Sequence, residues 1–189
     1  MPWLAQGSLS NVPKITDRAV AFATPWFNVV AKQVDGNPAP HYTVQPPDYA
    51  SIVATDIEGC LLMVKQYRPV VEDFTLELPS GLVDPGETPD AAIRRELIEE
   101  TGHEADEVES LGSLLPDVGR LGNRMFCFAA SNVRPIVPAP VLDDGIELVR
   151  LTPDEALAAL KTLRCNHALN FAVLMLAALR GRFGRFHLP

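Results

Sequence analysis

Short runs of apolar and β-branched residues follow one another from Trp26 to Tyr67. WFNVVAKQV (26–34), HYTVQ (41–45), ASIVATD (50–56) and CLLMVKQY (60–67) are separated by Gly, Pro, Asp and Asn, the pattern of consecutive strands. Asp56-Ile57-Glu58-Gly59 supplies a hairpin connection between the last two. TLELPSGLV (75–83) reads as one further strand, and Asp84-Pro85-Gly86-Glu87 then places Pro and Gly as a type II turn requires. Residues 1–25, with Pro2, Pro13 and Pro25 in a stretch of mixed polarity, read as irregular.

The period changes after the turn. Ile93, Leu97 and Ile98, with Ala91 and Ala92, make an apolar stripe at helical spacing. Thr88 is a suitable N-cap, Pro89 loses nothing at the first helical position, Asp90 suits the positive end of the dipole, and Gly102 is placed for a left-handed C-terminal cap. VESLGSLL (108–115), NRMFCFAAS (123–131) and GIELVRL (145–151) predict three more strands. Thr152-Pro153-Asp154-Glu155 repeats the helix start, giving a helix near 153–162, and a more apolar one covers 166–180. Strands, a helix, more strands and closing helices predict an α+β fold or a mixed-sheet sandwich.

A chain of 189 residues, 47% of them hydrophobic, fits one cored domain with a terminal extension. Its net charge of -8 argues against holding nucleic acid by the phosphate backbone, which needs a basic footprint. Cys60, Cys127 and Cys165 are widely spaced, so neither a disulfide framework nor a zinc site is indicated, and a reducing cytoplasm fits. The opening MPWLAQGSLSNVPK lacks the build of a signal peptide, and the longest apolar run, Phe171 to Leu179, is short of a membrane span.

Charge sharpens the picture at one place. Glu96, Glu99 and Glu100 stand at i, i+3 and i+4 and converge on one helix face near its C-terminus. Like charges at this spacing cost about 0.2–0.5 kcal/mol per pair, and acids at the negative end of the dipole about 0.3–1 kcal/mol each. A solvated face partly neutralised by Arg94 and Arg95 is one reading; a ligand set for a hard divalent cation is the other.

Spacing extends the second reading. Gly81, Glu87 five residues on, and seven residues later Arg95-Glu96-Leu97-Ile98-Glu99-Glu100-Thr101-Gly102 resemble the signature of the Nudix hydrolases, G-x5-E-x7-R-E-U-x-E-E-x-G-U, where U is a bulky aliphatic. The departure is His103 at the final aliphatic position, a place that packs or caps rather than ligates. The resemblance implies an α/β/α sandwich around a mixed sheet, and hydrolysis of a nucleoside diphosphate linked to another group with Mg²⁺ or Mn²⁺. It implies Glu96 and Glu100 as the principal metal ligands, Glu99 as a further ligand or base, the Ser80 carbonyl as another metal contact, and Arg95 as the residue orienting a neighbouring glutamate. Glu87, Gly81 and Gly102 are then structural members of the motif.

VKQYRP (64–69) and LELPSGLVDPGETP (76–89) resemble the ADP-ribose and ADP-sugar pyrophosphatase branch of that family. That implies Arg68 as a contact to a phosphate or terminal ribose, with Glu77 either supporting the loop or facing solvent. Pro116 sits near a loop proline of the branch, and Arg120 and Arg124 make that loop basic, so they are either a diphosphate clamp or surface charges. The branch's general base lies on a loop before the last strand, where this chain offers Asp143, Asp144 and Glu147; Asp144 is best placed, with Glu99 or Glu96 as fallback.

The expected protein is a cytoplasmic, Mg²⁺-dependent pyrophosphatase that splits an ADP-ribose-like or other nucleoside diphosphate sugar into a nucleoside monophosphate and a sugar phosphate, binding neither nucleic acid nor membrane. Residues 1–45 would be an extension with antiparallel strands that builds a homodimer, and 46–189 the hydrolase domain with its C-terminal helices. Trp26, Phe27, Tyr42 and Phe126 read mostly as core, and His41, His167 and His187 have no partner spacing. The rivals are another Nudix substrate, such as a dinucleoside polyphosphate or coenzyme A derivative, and a non-catalytic nucleotide-binding protein, against which the full set of motif glutamates argues.

Overall fold

The computed structural model describes residues 12–139, 141–142 and 145–183. They form two compact units, the chain up to Pro46 with Asp117–Gly122, and Pro47–Pro116 with the chain from Asn123 onward.

The first unit is an antiparallel sheet of β1 (Ile15–Ala23), β2 (Asn28–Val34) and β3 (His41–Gln45), in that order. The strand β1 corrects the reading of residues 1–25 as irregular. ITDRAVAFA is exposed from Thr16 onward, so burial imposed no clean alternation on it; its pairing with β2 defines it. Asp117–Gly122 joins this unit through the Val44–Leu121 bridge, where the Val44 N–H donates to the Arg120 carbonyl at 2.8 Å and the Gly122 N–H to the Val44 carbonyl at 2.9 Å. Trp26, Phe27 and Tyr42 are exposed, against the expectation that these aromatics are mostly core.

The second unit is built on a mixed sheet of β4 (Tyr49–Asp56), β5 (Leu61–Arg68), β6 (Asp73–Glu77), β7 (Ser80–Leu82), β8 (His103–Glu104), β9 (Glu109–Leu114), β10 (Met125–Pro135) and β11 (Ile146–Leu151). The main order is β11-β5-β4-β10-β8, with β6 on β5, β7 on β4 and β9 on β10. Only β4 and β10 run parallel, Tyr49 facing Met125 and Thr55 facing Ser131; the other described pairs are antiparallel.

Alternation along these strands makes two cores. Ala50, Ile52 and Ala54 of β4 join Phe128 and Ala130 of β10 on one face, covered by Ile93 and Leu97 of α1 (Pro89–Thr101). Val53, Met63, Met125 and Cys127 point to the other face, under α2 (Pro153–Lys161) and α3 (Ala168–Leu179), which contribute Leu160, Val173, Leu174 and Ala177. The second unit is therefore an α/β/α sandwich, and the chain is α+β with a mixed sheet.

The helix signals are met. The Thr88 hydroxyl accepts from the Ala91 N–H, and Thr152 and Glu155 form a reciprocal capping box at α2. TLELPSGLV, read as one strand, is two: β6 pairs with β5 and β7 with β4, with Leu78-Pro79 between. Pro79 has no N–H to continue a ladder, and its carbonyl accepts from the Ile52 N–H at 3.1 Å as the chain changes partner. No described helix is long and apolar enough to cross a membrane.

Candidate active site

Arg95 organises the acidic face of α1. Its Nε and Nη2 donate to the two carboxylate oxygens of Glu87 at 3.2 and 3.1 Å, and Nη2 also donates to the Leu82 carbonyl at 3.1 Å. Nη1 donates to Glu96 at 2.7 Å and to Glu99 at 2.8 Å. One guanidinium thus ties the turn before the helix to two of the three clustered acids, holding Glu87 below the usual carboxylate range through the Arg95 bonds. Arg94 points elsewhere, pairing with Asp90 and donating to the Ala105 carbonyl.

The third acid is different. Glu100 is buried, and its one hydrogen bond is from the Ser80 N–H at 2.9 Å. Burial pushes its carboxyl up to about 8, the Ser80 bond opposing and the Glu96 charge adding to the rise. Gly81 lies so close to the same helix that a Cβ there would be 2.0 Å from Glu96 Cδ. The loop and the helix are therefore in contact through backbone on one side and carboxylates on the other.

Among the described residues no group of three or more His, Cys, Asp or Glu side chains is already gathered around a cation position. Glu96 and Glu99 lean on Arg95 instead. The donor set nevertheless fits a hard divalent ion: all are oxygen ligands at adjacent turns, and the buried Glu100 carboxylate receives a backbone N–H rather than an arginine fork.

Arg68, at the end of β5, does not stand free. Its Nε and Nη2 donate to Glu77 at 2.8 and 2.9 Å, and the Thr75 hydroxyl donates to the same carboxylate at 2.5 Å. Glu77 is buried; burial raises its carboxyl, but the Arg68 and Thr75 bonds outweigh this and hold it below the usual range. Of the two sequence readings of Glu77, support by hydrogen bonds is the one observed.

The described bonds of the other candidates lead to other partners. Arg120 belongs to the first unit, where it is exposed and pairs with Asp117 at 3.2 Å. Arg124 donates through Nη1 to the Ser113 hydroxyl, and none of its described bonds reaches the acidic cluster. Glu147 pairs with Lys65 at 3.0 Å. Asp143 and Asp144 lie outside the described residues. His103 is buried with Nδ1 donating to the Thr101 carbonyl at 2.7 Å, the local capping role expected of it. Phe126 packs against the core, as expected.

The model of the NUDIX domain matches residues 45–169. The chain belongs to the Nudix family. It is 33% identical over 144 residues to the methanol dehydrogenase activator of Bacillus methanolicus, covering 72% of this chain and 78% of that protein. It is 33% identical over 117 residues to the ADP-sugar pyrophosphatase of Mus musculus, covering 58% of this chain and 53% of the mouse protein. A solved structure described as an ADP compounds hydrolase superposes with a TM-score of 0.74 at 23% identity, over 91% of this chain and 97% of the other, and shares the fold. Within the Nudix match lie Arg95, Glu96, Glu99 and Glu100 together with Gly81, Glu87 and the Arg68–Glu77 pair. Sequence reading had found each of these but not the pairing of Arg68 with Glu77, for which a basic and an acidic residue on adjacent antiparallel strands is the available signal.

Proposed function

We propose that this Nudix protein hydrolyses the diphosphate linkage of an ADP-ribose-like or other nucleoside diphosphate sugar, giving a nucleoside monophosphate and a sugar phosphate. The observation that carries the reading is the buried Glu100 carboxyl beside Glu96 and Glu99 on one helix face, latched to the loop through Ser80 and to the motif through Arg95. Relatives named for ADP-sugar and ADP-ribose hydrolysis support the substrate class.

Glu96, Glu99, Glu100 and the Ser80 carbonyl would hold Mg²⁺, with Mn²⁺ a substitute. The ion would supply polarisation of the phosphates and a lowered pKa for an attacking water. Arg95 holds Glu96 and Glu99 on the same helix face through Nη1. Glu99, the most exposed of the three at 40%, is the acid best able to accept the proton of that water, and Asp144 is the loop alternative. Arg68 is a substrate contact through the donors that Nε and Nη2 do not give to Glu77, Nη1 first among them. Arg120 and Arg124 are assigned to the diphosphate with support from charge alone.

The protein acts as a cytoplasmic homodimer in this reading, residues 1–45 forming the dimerisation segment and 46–189 the hydrolase domain. Exposed Val20, Phe22, Trp26 and Tyr42 on the first unit support an apolar contact surface there. The deciding experiment is Glu100→Gln assayed on nucleoside diphosphate sugars with Mg²⁺. Gln keeps an acceptor for the Ser80 N–H, so the fold should hold while turnover falls about a hundredfold or more. Unchanged turnover on the best substrate overturns the metal-site reading.

A further inference from the structure

A second cavity opens at the start of α3, with a volume of about 470 Å³. Its floor is the Arg68–Glu77 pair with Thr75, so the positive charge there is already met by a carboxylate. A phosphate would find no uncompensated cation in it. Among the described residues no Phe, Tyr or Trp lines it, so they offer a nucleobase no broad stacking face. Val70 and Val71 form an apolar wall instead.

His167 is at the N-cap position of α3 but makes no capping bond. Its Nδ1 is buried without a hydrogen-bond partner, 3.8 Å from Glu77 Oε2. The side chain is 39% exposed and His167 lines the cavity, so the ring is not closed off by the buried Nδ1. Asn166 beside it is exposed and lines the same space. Glu77 stands three residues before Ser80, whose N–H donates to Glu100, so one short segment leads from the lining of this cavity to the acidic cluster.

We propose that this cavity receives the uncharged, hydroxyl-bearing sugar half of the substrate, with His167 Nε2 and the Asn166 carboxamide bonding its hydroxyls and Val70 and Val71 covering a C–H face of the ring. This rests on the hydrolase reading above and adds to it a specificity-determining residue, His167. A sugar ring has the required surface: hydroxyls at its edge and apolar C–H groups on its faces.

Product inhibition separates the two halves of the substrate. With the full chain, Mg²⁺ and ADP-ribose, His167→Ala should raise the inhibition constant of ribose 5-phosphate and the KM for ADP-ribose about tenfold, the ordinary worth of a lost hydrogen bond or two, with kcat within about twofold. The inhibition constant of AMP should not move, and His167→Gln should restore part of the loss. A merely structural histidine would not produce this split. Equal constants for wild type and variant, or a rise for AMP instead, overturn the proposal. If thermal melting shows His167→Ala unfolded, Asn166→Ala carries the same test, since Asn166 is exposed. Failure of the wild-type protein to hydrolyse any nucleoside diphosphate sugar would overturn the hydrolase reading, and this proposal with it, before any variant is made.

Discussion

A methyl group at position 81 would occupy the space of the Glu96 carboxylate. The obstacle is the far end of a flexible side chain, so Gly81→Ala should fold with little loss of melting temperature while Glu96 is driven from its place. Displacement of this kind at a reacting centre costs about a hundredfold in rate, and a kcat assay beside a thermal melt will show whether the two effects separate. Arg95→Lys tests the hub. A lysine cannot serve Glu87 bidentately and Glu96 and Glu99 together, so turnover should fall about tenfold or more even though the charge is kept. At this scale the sequence was highly legible: helical spacing brought Glu96, Glu99 and Glu100 to one face, and the resemblance of Gly81 to Gly102 to the Nudix signature singled out Arg95 and Gly81. It was silent on what Arg68 and His167 face, because their partners come from other strands and helices.

Helix α1 ends at Gly102, whose φ of 68° is the left-handed region and whose N–H closes the last turn on the Ile98 carbonyl at 2.8 Å. Gly102→Ala should therefore cost about 1–2 kcal/mol, read as a lower urea midpoint with an unchanged slope. Caps of this kind are local chemistry, which is why α1 and α2 were foreseen from Thr88, Gly102 and the Thr152–Glu155 box, while α3 was legible from its apolar run alone. Strand identity is less local. TLELPSGLV carries strand residues throughout, and only the choice of partner, β5 before Pro79 and β4 after it, splits it. For β1 the failure was of another kind, since an exposed strand has no buried face to write a period of two into the sequence.

Across the whole second unit, Arg150 on β11 ties the β4–β5 turn to the sheet through Asp56 at 2.7 Å and Glu58 at 2.9 Å. Burial raises the Asp56 carboxyl, but the Arg150 bonds and the backbone N–H groups of Cys60 and Glu58 outweigh it and hold it below the usual range. A folded-state value below the unfolded one contributes stability that is present at neutral pH and is lost as pH falls from the unfolded value through the folded one. Urea titrations at about pH 6 and about pH 3 should show a smaller acid loss for Asp56→Asn than for wild type. An equal loss would remove Asp56 from the acid response. For the first unit, Phe22→Asp should turn a dimeric species into a monomeric one by sedimentation, and a monomeric wild type would end the dimer proposal.

The parallel pairing of β4 with β10 also sets an order of events in synthesis. Tyr49 leaves the ribosome early, yet its neighbour Met125 follows only after β5 through β9 and α1 have been made. The central ladder is thus among the most non-local contacts of the chain, and such contacts close slowly. The signature from Gly81 to Gly102, with Arg68 and Glu77 before it, lies in the stretch that this ladder encloses. A nascent chain halted before Met125 would carry the entire motif and still lack the strand against which its sheet is completed, so activity should arise abruptly with chain length rather than in proportion to it.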